Sequence, residues 1–245
     1  MPYPAGGGPV TSQPFTPVSA GTYRWIAAYS GDANNAAAAG ACNAANETTV
    51  VGRAVPTITT TASADVALGA EARLTDDATV GGRTNPQTGA TVDFRLYGPG
   101  DVTCTDAPVF VSLNVAYPVG GGAVTSAAYT PTQPGTYRWV AAYSGDANNA
   151  PAAGTCGDGG QSTSVARAEA TVTGTASPDV TIGAGTLADG ATVSGRVDPN
   201  AGATVDFPPL WTRRRDVHGD AGLRVAERRL SGRWRRGDVG AVHTS

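Results

Sequence analysis

Between Thr57 and Ala166 the chain alternates apolar and polar residues in short runs, most of them set off by glycine, proline, asparagine or aspartate. Seven runs stand out: TITTTAS (57–63), ARLTDDATV (72–80), ATVDFRLYG (90–98), VFVSLNVAY (109–117), AVTSAAYT (123–130), TYRWVAAYS (136–144) and QSTSVA (161–166). A two-residue period puts alternate side chains on opposite faces of a strand, and no stretch here repeats at the helical period. Strands of this number and spacing predict an all-β antiparallel β-sandwich. In TYRWVAAYS the period groups Tyr137, Trp139, Ala141 and Tyr143 on one face. That face is predicted to point inward, with Trp139 as the core anchor flanked by Tyr137 and Tyr143. Arg138 is expected to face solvent.

The pattern recurs. YPAGGGPVTSQPFTPVSAGTYRWIAAYSGDANN (3–35) returns as YPVGGGAVTSAAYTPTQPGTYRWVAAYSGDANN (117–149), an offset of 114 residues. TASADVALG (61–69) returns as TASPDVTIG (175–183) at the same offset. LTDDATVGGRTNPQTGATVDF (74–94) matches LADGATVSGRVDPNAGATVDF (187–207) at an offset of 113. A repeat slightly longer than a hundred residues is the size of one sandwich domain. Phased by its turns, the chain reads as the second half of a unit (1–53), one complete unit (54–167) and the first half of another (168–207). Met1 then falls inside a domain, which reads as a truncated or misplaced start. Two half domains expose sheet edges and apolar faces, and being complementary they are candidates to pair within or between molecules.

Composition adds a second boundary. The chain has no Lys, so its 17 basic residues are all Arg. Residues 1–207 carry eight Arg against sixteen acids, whereas 208–245 carry nine Arg against four acids. No run of about eighteen apolar residues occurs, so no span of the membrane is predicted. The first residues, MPYPAGGGPV, have neither the basic nor the apolar region of a secretory signal.

GTYRWVAAYSGDANN, preceded by the TVDFRLYGPGD strand and the TPTQPGTY turn, resembles the repeated bacterial immunoglobulin-like domains of secreted and cell-surface proteins. The resemblance covers residues 1–207. It implies an extracellular, tandemly repeated spacer, stalk or adhesive module whose partner is a protein or glycan at the cell surface. It carries over no catalytic residue and no cofactor.

The tail PPLWTRRRDVHGDAGLRVAERRLSGRWRR (208–236) breaks the repeat at the point where the central unit continues as RLYGPGD. Shifting the reading frame by one base resolves the break. The codons of Pro-Pro-Leu-Trp-Thr regroup to permit Arg-Leu-Tyr and then force Gly. Across 208–244 against 95–131, only the positions opposite Asp106, Ala107 and Ala128 are incompatible. The tail therefore reads as a further repeat in the wrong frame, a disordered basic segment whose Arg content comes from regrouped G- and C-rich codons. The alternative is a small binding protein whose Arg-rich tail, with Trp211 and Trp234, contacts nucleic acid or acidic polymers. The frame argument explains the same residues without specific nucleic-acid binding.

Three cysteines fit the same scheme. Cys42 and Cys156 are repeat equivalents, and Cys104 lies earlier in the complete unit. A Cys104–Cys156 disulfide is expected, stabilising the unit by about 4 kcal/mol on loop entropy alone. Cys42 is left without its early partner. A zinc site is the rival, but no C-x-x-C pair exists and both histidines, His218 and His243, lie in the tail. The SGDANN turns (30–35 and 144–149) offer calcium a single carboxylate, too few ligands by itself, and such residues normally satisfy their own turn. Catalysis is not expected either: residues 1–207 contain no His or Lys to act as a base, and Asp32/Asp146 and Asp65/Asp179 recur at equivalent turn positions.

Overall fold

Alternation becomes strand wherever a run has a partner. The computed structural model describes residues 1–208, in one compact unit, Met1–Ala203, and the start of a second from Thr204. The expectations for the basic tail fall on residues 209–245 and lie outside the described residues. The first segment holds four short strands, β1 (Gly21–Arg24), β2 (Ala28–Tyr29), β3 (Ala38–Ala39) and β4 (Thr48–Val51). The central unit holds nine: β5 (Thr57–Ala62), β6 (Val66–Ala67), β7 (Asp76–Gly81), β8 (Thr91–Tyr97), β9 (Phe110–Ala116), β10 (Ala123–Thr125), β11 (Gly135–Tyr143), β12 (Ala152–Ala153) and β13 (Ser162–Ala166). Two more, β14 (Thr171–Ala176) and β15 (Asp189–Ser194), form the last segment. The described residues are all-β, with no helix.

All nine central strands belong to two sheets. One runs β10-β7-β5; the other runs β6-β13-β11-β8-β9, with β12 also on β11. Every pairing is antiparallel except β6 with β13. The buried face of β11 carries Tyr137, Trp139, Ala141 and Tyr143, as its period requires, and it packs with Phe94 and Leu96 of β8, Ala78 and Val80 of β7, and Leu74 in one core. Phe94 and Phe110 meet the Trp139 ring edge to face. Arg138 does not stand free in solvent: it is half-buried, and its Nη1 donates to the Thr136 carbonyl at 3.2 Å.

The strands depart from the alternation at turns and bulges. The run from Ala72 becomes strand only at Asp76, because residues 69–72 close a turn through Ala72 N to Gly69 O. The run 123–130 is cut after Thr125. Thr125 pairs Asp77 while Tyr129 bridges Leu74, so the β10 side holds one extra residue, a bulge pinned by Asp76 N donating to Ser126 Oγ at 3.0 Å. The two-residue strands β6 and β12 have no counterpart among the expected runs, since two residues carry no readable period.

The flanking segments repeat the local geometry without the sandwich. β1 pairs β4 and β2 pairs β3 in the first segment; β14 pairs β15 in the last. Among the described strands, none of 1–53 pairs with one of 168–203.

Candidate functional site: where the first segment meets the central strands

The turn Ser144–Asn149 is built around one carboxylate. Asp146 Oδ1 accepts the backbone N–H of Asn148 at 2.8 Å and of Asn149 at 3.0 Å, and the Asn149 side-chain amide at 2.8 Å. Its Oδ2 accepts the Tyr143 hydroxyl at 3.1 Å. Burial opposes ionisation of Asp146, but the donors from Asn149, Asn148 and Tyr143 outweigh it and hold the carboxyl below its ordinary value. The first segment reproduces the turn at Asp32, which accepts Tyr29 Oη at 2.6 Å and Asn34 N at 2.8 Å. There the Tyr29 hydroxyl and the Asn34 and Asn35 donors lower the carboxyl to about 2. Gly31 and Gly145 lie at φ of 78° and 77°, and a Cβ on Gly145 would stand 2.7 Å from the Asn149 carbonyl, so the turn requires glycine. Both carboxylates are thus engaged by their own turns.

Asp146 and Asn149 close the turn; Asn148 points its side chain elsewhere. Its Oδ1 accepts the backbone N–H of Ala20, in the preceding segment, at 2.9 Å. Its Nδ2 donates to Asn85 O at 2.8 Å and lies 3.4 Å from Val18 O. Asn85, at a positive φ of 39° in the loop between β7 and β8, donates its own Nδ2 to Val18 O at 3.1 Å. Asn149 ties the same two loops together, accepting Thr84 N at 2.7 Å. The connection between segments is knitted into this end of the sandwich, because Ala54 N donates to Asn148 O and Ala150 N to Ala54 O, each at 2.8 Å. A shallow cleft of about 190 Å³ lies over the joint, lined by Val18, Ala20, Arg53, Asn85 and Asn148 among others. The sequence reading did not find this joint. The available signal was the first Asn of the repeated DANN, which the turn does not need for its own side-chain hydrogen bonds.

The predicted residues sit as follows. Trp139, Tyr137 and Tyr143 are buried together in the core. The Tyr137 hydroxyl donates to Gln133 O at 3.0 Å, and Tyr23 makes the equivalent bond to Ser19 O at 3.0 Å. Cys104 and Cys156 are joined as a disulfide with Cα atoms 5.7 Å apart, tying the β8–β9 loop to the segment between β12 and β13. Asp101 orders that loop by accepting the N–H groups of Thr103, Thr105 and Asp106 at 3.0–3.2 Å. Cys42 is an exposed free thiol. Sequence reasoning also missed a buried polar group in the core. Asp76 is fully buried and neither carboxylate oxygen has a hydrogen-bond partner among the described residues; Thr60 Oγ1, Trp139 Nε1 and Gln161 Oε1 are likewise buried without one. Burial pushes Asp76 up to about 7.

No family model matches the chain, and no curated protein matches it.

Proposed function

We propose that the chain is a run of immunoglobulin-like modules from a secreted or cell-surface repeat protein, acting without catalysis as a spacer or stalk that presents a binding region. The observation that carries this reading is the Asn148 joint. The first segment meets the central strands through directed hydrogen bonds from two loops, and the connection at Ala54 is part of the sandwich. A stalk needs such a joint, since a free linker would let neighbouring modules tumble independently.

The immunoglobulin-like assignment draws support from the two-sheet strand order and from the tyrosine hydroxyl bonded to the backbone four residues upstream. It departs from antibody domains in placing its buried Trp on β11, two strands in from the sheet edge. The disulfide supports an oxidising, extracellular location. The module would be non-catalytic because Asp32, Asp101 and Asp146 are engaged by their own turns and loops and residues 1–207 contain no His or Lys. NMR relaxation tests the joint: β1 and β11 amides should share one rotational correlation time, and Asn148→Ala should separate them. Separate times in the unaltered chain would overturn the stalk reading.

A further inference from the structure

Several exposed apolar side chains of the flanking segments are the repeat equivalents of residues that the central unit buries. Trp25 is 43% exposed where its equivalent Trp139 is 0%. Ile182 is 100% exposed where Leu68 is 9%, and Leu187 is 77% exposed where Leu74 is 0%. Val172 is likewise exposed, whereas Ile58 packs against the central core. The first segment carries the equivalents of β11 and β13, and the last carries the equivalents of β5 and β7. In the central unit those strands cover one another, with β5 and β7 packed on β11.

The two segments of one chain stand at opposite ends of the sandwich. The first is joined at the Tyr143 end of β11, through Ala20 and Asn148. The last follows β13, whose Val165 pairs with Gly135 at the start of β11. Nine residues of strand separate those ends, about 30 Å at ~3.4 Å per residue. Among the described strands, none of the first segment pairs with one of the last.

We propose that the β14–β15 face of one chain docks on the β1–β4 face of a second copy, forming a composite sandwich in the arrangement the central unit displays. A polar anchor accompanies the apolar faces. Arg83 lies 4.6 Å above the Tyr117 ring and donates to the carbonyls of Pro118 and Val119 at 3.2 and 3.1 Å. The equivalents are Arg196 in the last segment and Tyr3, Pro4 and Ala5 in the first. Arg196 is exposed, and the Tyr3–Tyr29 ring pair is already set at 5.9 Å, as Tyr117–Tyr143 is at 5.7 Å. The composite places Gly174 where the central unit has Thr60 and Glu47 where it has Gln161. Neither segment supplies the equivalents of 95–114, so it buries less than the central core. Because the two faces are different and lie at opposite ends, the contact is head-to-tail and builds open chains.

The test is sedimentation velocity of the full chain, carrying Cys42→Ser to prevent thiol cross-linking, from roughly 1 to 500 µM. The average mass should rise with concentration beyond two chains of 24.5 kDa each. Trp25→Asp and Ile182→Asp should each remain single chains, and Arg196→Ala should weaken association about tenfold. Both aspartate substitutions lie outside β5–β13, so an unchanged melting transition of the central unit certifies the fold. Each aspartate variant keeps one face intact, so mixing the two should yield two-chain complexes and nothing larger. A single-chain mass at every concentration, large assemblies in both variants, or a mixture that grows past two chains would overturn the proposal.

Discussion

Trp139 and Trp25 occupy the same position in the same TYRW motif, yet one is sealed in a core and the other lies open. Their neighbourhoods separate two kinds of information in the chain. The tyrosine hydroxyl bond and the aspartate-centred turn form in both places, at closely similar distances, because each is closed by residues within five positions of one another. Burial does not follow, because it depends on β5 and β7, which come from the other half of a repeat. Local geometry here is a property of a few residues; the core is a property of the whole unit.

That contrast can be broken at several points. The largest effect is expected at the tryptophans: Trp139→Ala should cost the central unit about 3–5 kcal/mol, and Trp25→Ala within about 0.5 kcal/mol, read from denaturant midpoints of the same transition. Asp76 comes next. Its carboxyl titrates near 7 in the folded unit against an ordinary 3.8, so the folded state holds the extra proton. Its contribution is complete below pH ~4 and is lost as pH rises towards 7, on the order of 4 kcal/mol in all at about 1.36 per unit. Asp76→Asn should flatten that slope, and a melting temperature that does not fall between pH 4 and 7 in the unaltered chain would refute it.

Smaller changes sharpen the comparison. Removing the disulfide with Cys104→Ser and Cys156→Ser should lower central-unit stability by about 2–4 kcal/mol, whereas Cys42→Ser should leave it unchanged. Asn148→Ala removes hydrogen bonds to Ala20 and Asn85 and should cost about 1 kcal/mol, mostly as independent motion of the first segment. Calorimetry combined with the relaxation measurement separates those two consequences.

Most of the central sandwich was legible because its strands alternate cleanly and its turns carry Gly, Pro, Asn and Asp. Tyr137, Trp139 and Tyr143 followed from a two-residue period, and the Cys104–Cys156 pairing followed from comparing repeats. What escaped depends on register between distant strands. The one-residue bulge beside Ser126 cannot be read from AVTSAAYT, because it exists only against Asp76 and Leu74. Asp76 shares the two-residue period of Leu74, Ala78 and Val80, so its face was legible; what was not is that distant strands would leave its carboxyl without a partner. Asn148 looked like a turn residue, and its second role needs Val18 and Ala20, about 130 positions away.

The account rests on one complete core between two open faces, and native-state hydrogen exchange at concentrations too low for association tests this directly. Amides of Trp139, Ala141 and Leu96 should exchange only through global unfolding, while those of Tyr23, Val50 and Val172 should exchange through local opening at far lower free energy. Equal protection of all three regions in the dilute chain would contradict the account.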